Sequence, residues 1–201
     1  MTDQLPPDTP LLLKVNKGTV PSFTTLLQSG FTIETEPQKT ISELLLELPG
    51  FTEDYVDERL QTIFLNGMPL DDVSSPVGSG KSVLALAGHM PGLAGAILKR
   101  GSVHAPLRSQ VSVADSSSPD ESNEPGLVRI KLFGIVAKER GAEILNGGAR
   151  MNSKKLAAFF RNRPELLAKI ISAQLADQQV EIQSLAETLS SMPELNLTIN
   201  D

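Results

Sequence analysis

The chain has 201 residues, 18 basic and 24 acidic side chains, a net charge of −6, 40% hydrophobic residues and no cysteine. The missing cysteine excludes disulfide staples, thiolate metal sites and thiol nucleophiles, and it suits a reducing, cytoplasmic setting. Residues 1–102 carry 7 basic and 12 acidic groups, 103–126 carry 1 and 4, and 127–201 carry 10 and 8; so acidic a first half argues against a nucleic-acid binder, which needs a basic domain to meet phosphate charge.

The opening MTDQLPPDTP has neither the basic nor the long apolar region of a secretory signal. No run approaches the length of a membrane span, because the longest candidate, 90–98, contains Pro91, Gly92 and Gly95. Residues 11–15 are apolar and β-prone, Gly18 marks a turn, and Phe31, Thr32 and Ile33 are extended in character, which predicts a strand pair. Thr40 and Glu43 have capping-box spacing ahead of Ile41, Leu44, Leu45 and Leu48, so a helix starts there and ends at Pro49-Gly50. A polar helical turn around Tyr55 and Val56 precedes a strand at 62–65, a turn at Asn66-Gly67 and a last strand at 82–87.

Residues 114–126 (ADSSSPDESNEPG) hold too few apolar side chains to offset the entropy of ordering a chain. They divide the sequence into a flexible N-terminus (1–9), a first domain (10–102), a linker (103–126) and a second domain (127–201). The second domain repeats the order of events. Residues 127–133 read as a strand, and ILNGGARM at 144–151 aligns with LLQSGFTI at 26–33 at an offset of 118, a helix following each. Leu156, Phe159, Phe160, Leu167, Ile170 and Ile171 share an apolar face, with Pro164 kinking that helix or starting a second one. A short strand at 180–182, a helix opened by a Ser184/Glu187 capping box, and alternation of Leu195, Leu197 and Ile199 with polar residues complete a pattern that reads as an internal duplication.

TISELLLEL, TIFLNGMPLDD and VGSGKSVLALAGHMPG resemble the helix, third strand and closing strand of ubiquitin-like β-grasp proteins, namely the sulfur carriers of thiamine and molybdopterin synthesis. LVRIKLFGIVAKERG is similar to the opening strand of the molybdopterin synthase small subunit. The resemblance implies an α+β chain of two tandem β-grasp domains. Those carriers work through a free C-terminal Gly-Gly, whereas this sequence ends Leu197-Thr198-Ile199-Asn200-Asp201, so the resemblance bears on the fold and does not carry the chemistry over.

Residues 75–82, SPVGSGKS, approach a phosphate-binding loop, with Gly80, Lys81 and Ser82 as its candidate ligands. Ser75 stands where the first glycine is needed, and the strand-like SVLALA follows where a helix should present its N–H groups to phosphate. A glycine turn feeding a strand is the plainer reading. His89 and His104 have no carboxylate at ligand spacing, so neither a metal nor a cofactor is expected. Asp71-Asp72 and Glu53-Asp54 sit in turn or helix-start contexts suited to solvated carboxylates. Arg150, Lys154, Lys155 and Arg161 gather near the start of a helix opening at Ser153, which makes them candidates for an anion or an acidic partner. Residues 89–108 interleave glycines with Leu, Ile and basic groups and have no assigned role. The composition and motifs together predict a non-enzymatic binding or adaptor protein whose partner is another protein; the alternatives are a sulfur-carrier relative of cofactor biosynthesis and a phosphate or nucleotide binder using 78–82.

Overall fold

The structure is a computed structural model that describes residues 8–36, 38–78, 80–110 and 125–201. In the first half, β1 (Thr9–Val15) leads through a 3-10 helix (Val20–Gln28) to β2 (Phe31–Thr35), α1 (Ile41–Leu46), α2 (Glu53–Glu58), β3 (Thr62–Leu65), β4 (Met68–Pro69), β5 (Lys81–Ala87) and α3 (Gly92–Leu98). A 3-10 helix, Ala105–Gln110, follows. The second half contains β6 (Gly126–Leu132), α4 (Gly134–Gly147), β7 (Ala149–Asn152), α5 (Ser153–Arg161), α6 (Pro164–Leu167), β8 (Ile170–Leu175) and β9 (Gln178–Val180). It closes with a 3-10 turn (Ile182–Ser184), α7 (Leu185–Ser190) and β10 (Glu194–Asn200). No helix among the described residues is long and apolar enough to cross a membrane.

This mixed α/β chain forms two compact units that follow strand pairing, not chain order. One comprises Met1–Phe31 with Gly141–Asp201, the other Thr32–Arg140. They therefore differ from the consecutive segments 10–102 and 127–201 expected from the linker. In the first unit the strands run β7-β10-β1-β8-β9. There β1 is parallel to β10 and antiparallel to β8, β10 is antiparallel to β7, and β8 is antiparallel to β9. The second unit runs β4-β3-β5-β6-β2, with β5 parallel to β6 and β3 antiparallel to both β4 and β5.

Alternation decides which face of each central strand is buried. In β1, Thr9, Leu11, Leu13 and Val15 are buried and the residues between them exposed; in β6 the buried set is Gly126, Val128, Ile130 and Leu132. The expected pairing of β1 with β2 does not form: β1 lies between β10 and β8, and the segment after Gly18 coils into the 3-10 helix, with Pro21 in its first turn and Phe23, Leu26 and Leu27 buried. Both halves form a two-residue hairpin with positive φ at both loop positions, Asn66-Gly67 between β3 and β4 and Ala176-Asp177 between β8 and β9.

The local signals hold to different degrees. Thr40 Oγ1 accepts from the Glu43 N–H at 3.2 Å while Glu43 Oε2 accepts from the Thr40 N–H at 2.8 Å, so the first capping box is complete. Ser184 precedes α7 as expected but forms no cap. Its backbone is already helical, and its hydroxyl donates back to the Glu181 carbonyl. Pro164 starts α6, and the short strand expected at 180–182 is displaced to Gln178–Val180 because the chain turns into a 3-10 helix at Ile182.

The expected linker, 103–126, begins as ordered structure. The Arg108 guanidinium, 9% exposed, donates to the Ile97 and Lys99 carbonyls and pairs with Asp71, fixing the Ala105–Gln110 turn beside α3. Most of the acidic break at 114–126 lies outside the described residues.

Candidate functional site

In the Thr32–Arg140 unit, β5 buries Ser82, Leu84 and Leu86 on one face and leaves Val83, Ala85 and Ala87 half-buried on the other. On that second face Ala85 lies opposite Phe64 of β3 and Lys131 of β6. Two alanines between Phe64 of β3 and Phe133, the residue just after β6, leave a trough. Gly88 follows, and a Cβ there would stand 2.4 Å from Ile135 Cγ2 and 3.5 Å from the Arg59 carbonyl, so only glycine lets the chain pass under Ile135. Phe133 is tied to β5 by its N–H, which donates to the Leu86 carbonyl at 2.9 Å. The result is a groove of about 420 Å³ lined by Phe64, Ala85, Ala87, Met90, Phe133 and Ile135. Phe133 and Ile135 remain 37% and 43% exposed.

Among the described residues His89 is the one titratable side chain in the lining, and no carboxylate is part of it. Lys131 belongs to the same sheet face as Ala85 and Phe133, by its register and by the alternation of β6, and it is half-buried. Its side chain makes no hydrogen bond or ion pair with any described residue.

A second cavity, about 480 Å³, is lined by Thr52, Asp54, Tyr55, Glu58, Arg59, Glu139 and Arg140. Four of its groups, Tyr55, Arg59, Glu139 and Arg140, are matched to one another. Tyr55 donates its hydroxyl to Glu139 Oε2 at 2.9 Å, Arg59 forms an ion pair with the same carboxylate, and the Arg140 guanidinium lies 4.2 Å over the Tyr55 ring. Burial, helped by the neighbouring Glu139 carboxylate, pushes the Tyr55 phenol up to about 12. The Arg59 hydrogen bond, more than any other contact, holds the Glu139 carboxyl below its ordinary range. A phenol held so firmly protonated is a poor nucleophile or base, and the network reads as a lock between α2 and the start of α4.

The residues singled out from sequence fall elsewhere. Gly80 has φ +74° and gives its carbonyl to the Leu127 N–H at 2.7 Å; Lys81 is exposed at the start of β5; the buried Ser82 hydroxyl donates to the Val77 carbonyl at 3.3 Å. A strand and not a helix follows them, and the N–H groups of Ile41 and Ser42 at the start of α1, which lies against this loop, donate to the Ser75 and Val73 carbonyls.

Of the four clustered cations, Arg150 is held by Glu194 at 3.1 Å and Asp8 at 3.4 Å. Lys155 Nζ donates to the Ser29 carbonyl at 3.3 Å. Arg161 donates to the Ala186 carbonyl and the Ser190 hydroxyl at α7. Lys154 is exposed on the first turn of α5, whose N-cap is Asn152, accepting from the Lys155 N–H at 3.1 Å. Three of the four are thus bound by separate parts of their own unit.

Asp72 is a local turn carboxylate, accepting from the Ser74 N–H and hydroxyl. Burial pushes the Asp71 carboxyl up, but the Arg108 side chain and the Gly101 N–H outweigh that and hold it below its usual value. This clamp and the groove were both missed in the sequence. The signal for the groove lay in the small residues at the outward positions of SVLALA, next to the unassigned stretch that begins at His89. Neither a family model nor a curated protein nor a solved structure matches the chain, and the site is therefore read from its own residues alone.

Proposed function

We propose that the chain is a non-enzymatic binding or adaptor protein and that it engages its partner through the groove formed by Phe64, Ala85, Ala87, Met90, Phe133 and Ile135. The carrying observation is the groove itself, a concave apolar site of small-molecule size with one titratable group at its edge. The pairing of Tyr55 and Arg59 with Glu139 in the second cavity supports the non-enzymatic side of this reading, since those three groups are occupied with one another. The β-grasp reading of the fold draws support from the directions of the strands: each unit has a central parallel pair, and the strand beyond one side of that pair is antiparallel and continues into a two-residue hairpin.

Nile red, an uncharged apolar dye, tests the groove without reference to any ligand's charge. Saturable one-to-one binding is expected for the intact chain. Ile135→Lys should weaken it at least tenfold with little change in the thermal midpoint, because Ile135 is nearly half exposed. Binding that does not saturate, or that survives the substitution, would remove the groove from this reading.

A further inference from the structure

We propose that the occupant of the groove is a small amphipathic organic anion, its apolar body lying along Ala85 and Ala87 between Phe64 and Phe133 and its carboxylate meeting Lys131. This rests on the groove being a binding site, and it adds the charge of what binds there. The volume, about 420 Å³, falls in the range of sites that enclose small molecules. Among the described residues the lining supplies apolar surface and no carboxylate, so it would hold an apolar body and would not repel an anion.

The argument for charge comes from β6. Alternation places Leu127, Arg129 and Lys131 on the half-buried face that continues into Phe133, while Val128, Ile130 and Leu132 go into the core. Register then sets Lys131 beside Ala85, a lining residue, and Arg129 beside Val83. Lys81, at the far end of β5, lies on this same face by alternation. Lys131 is partly withdrawn from water, stands in register with the lining residue Ala85 without itself lining the groove, and has no acid partner among the described residues. A cation in that position attracts an anion more strongly than a fully solvated one does, because the apolar wall lowers the local dielectric response. A neutral ligand would leave that attraction unused, and a cationic one would be repelled.

Octanoate, 1-octanol and octyltrimethylammonium carry the same alkyl chain with different heads, and their binding to the ¹⁵N-labelled full chain can be followed by amide shifts and calorimetry. Octanoate should bind at least tenfold more tightly than octanol, with shifts centred on 85–91 and 133–135, and octyltrimethylammonium most weakly. Lys131→Met keeps the side-chain stem and removes the charge; it should bring octanoate to within threefold of octanol while leaving octanol unchanged. Equal binding of octanoate and octanol, preference for the ammonium, or a preference for octanoate that persists in Lys131→Met would each overturn the anion assignment and leave the groove standing. Absence of groove shifts with all three ligands, together with loss of Nile red binding, would overturn the groove as well.

Discussion

In the Thr32–Arg140 unit the strand contributed by the other half of the chain, β6, lies between β5 and β2, so the half's own last strand, β5, stays beside β3. In the other unit the contributed strand is β1, and it takes the place beside β8, while the half's own last strand, β10, is moved next to β7. Either arrangement leaves a parallel pair at the centre, with registers such as Leu11↔Leu197 and Leu84↔Ile130 that set fully buried apolar residues side by side. The two halves nonetheless present matching elements in matching order. β6 follows β1, and β7 follows β2, at close to the same offset, and Gly30 and Gly148 occupy the equivalent joint with φ +91° and +98°, a backbone shape open to glycine. Alternation thus fixes the face a strand buries and leaves its neighbour to be chosen among several strands of equal suitability. First strands are the ones exchanged, because β1 and β6 are both apolar on one face and both precede a helical segment that can carry the chain away.

The sharpest way to break this comparison is to separate the halves. Fragments 1–110 and 125–201 each lack one central strand of each unit, so neither should show a cooperative thermal transition alone, and mixing them should restore one. Circular dichroism melts at several concentrations of the mixture check this. A cooperative melt by either fragment alone would mean that β1 or β6 can return to its own half, and the exchange would then be dispensable.

Single substitutions within the exchanged strands sharpen it further. Leu13 and Ile130 are fully buried, and replacing either by alanine should cost about 2–5 kcal/mol through lost burial and the cavity left behind. Hydrogen exchange then locates the damage. Leu13→Ala should loosen amides in β8 and β10, the strands paired with β1, whereas Ile130→Ala should loosen β5. Loosening of β5 by Leu13→Ala would contradict the exchanged pairing.

Local order was far more legible in the sequence than this pairing. The Thr40/Glu43 capping box, the turn at Asn66-Gly67 and the start of α5 at Ser153 are written in short-range chemistry, and each appears where spacing places it, although the strand β4 that the turn leads into was not legible. The β1–β2 pair failed because adjacency in sequence was taken for adjacency in the sheet, and Pro21 with Phe23, Leu26 and Leu27 instead stabilises an intervening 3-10 helix. The Ala176-Asp177 hairpin lacked glycine and left no local mark. The groove was only half legible. Ala85 and Ala87 can be read as small, but the nearness of Phe64, Phe133 and Ile135 depends on β3, β5 and β6 being neighbours, and β5 and β6 are joined by no local signal. The cation cluster shows the reverse error, since Arg150 and Glu194 meet only through the pairing of β7 with β10.

The smallest expected effect distinguishes the units by pH. Tyr55, Arg59 and Glu139 all belong to the Thr32–Arg140 unit, so whatever their titration contributes to stability belongs to that unit. Glu139 is depressed in the folded protein, so its contribution is complete above the ordinary carboxylate value of 4.5 and is lost as the pH falls through the folded value. Tyr55 is raised from 10 to about 12, so its contribution is complete below pH 10 and is lost as the pH rises toward 12. Arg59 is half exposed, and solvent screening keeps the ion pair weak. Glu139→Gln should therefore lower stability slightly at pH 7, and the difference from the parent chain should shrink as the pH falls below 4.5. Tyr55→Phe should flatten the alkaline arm and, by removing a hydrogen bond to the Glu139 carboxylate, weaken the acid arm as well. Denaturant melts from pH 3 to 11, with hydrogen exchange assigned to β5 and β10, measure both; a Glu139→Gln deficit that persists unchanged at pH 3 would show that Glu139 acts through packing against α2 and not through its charge.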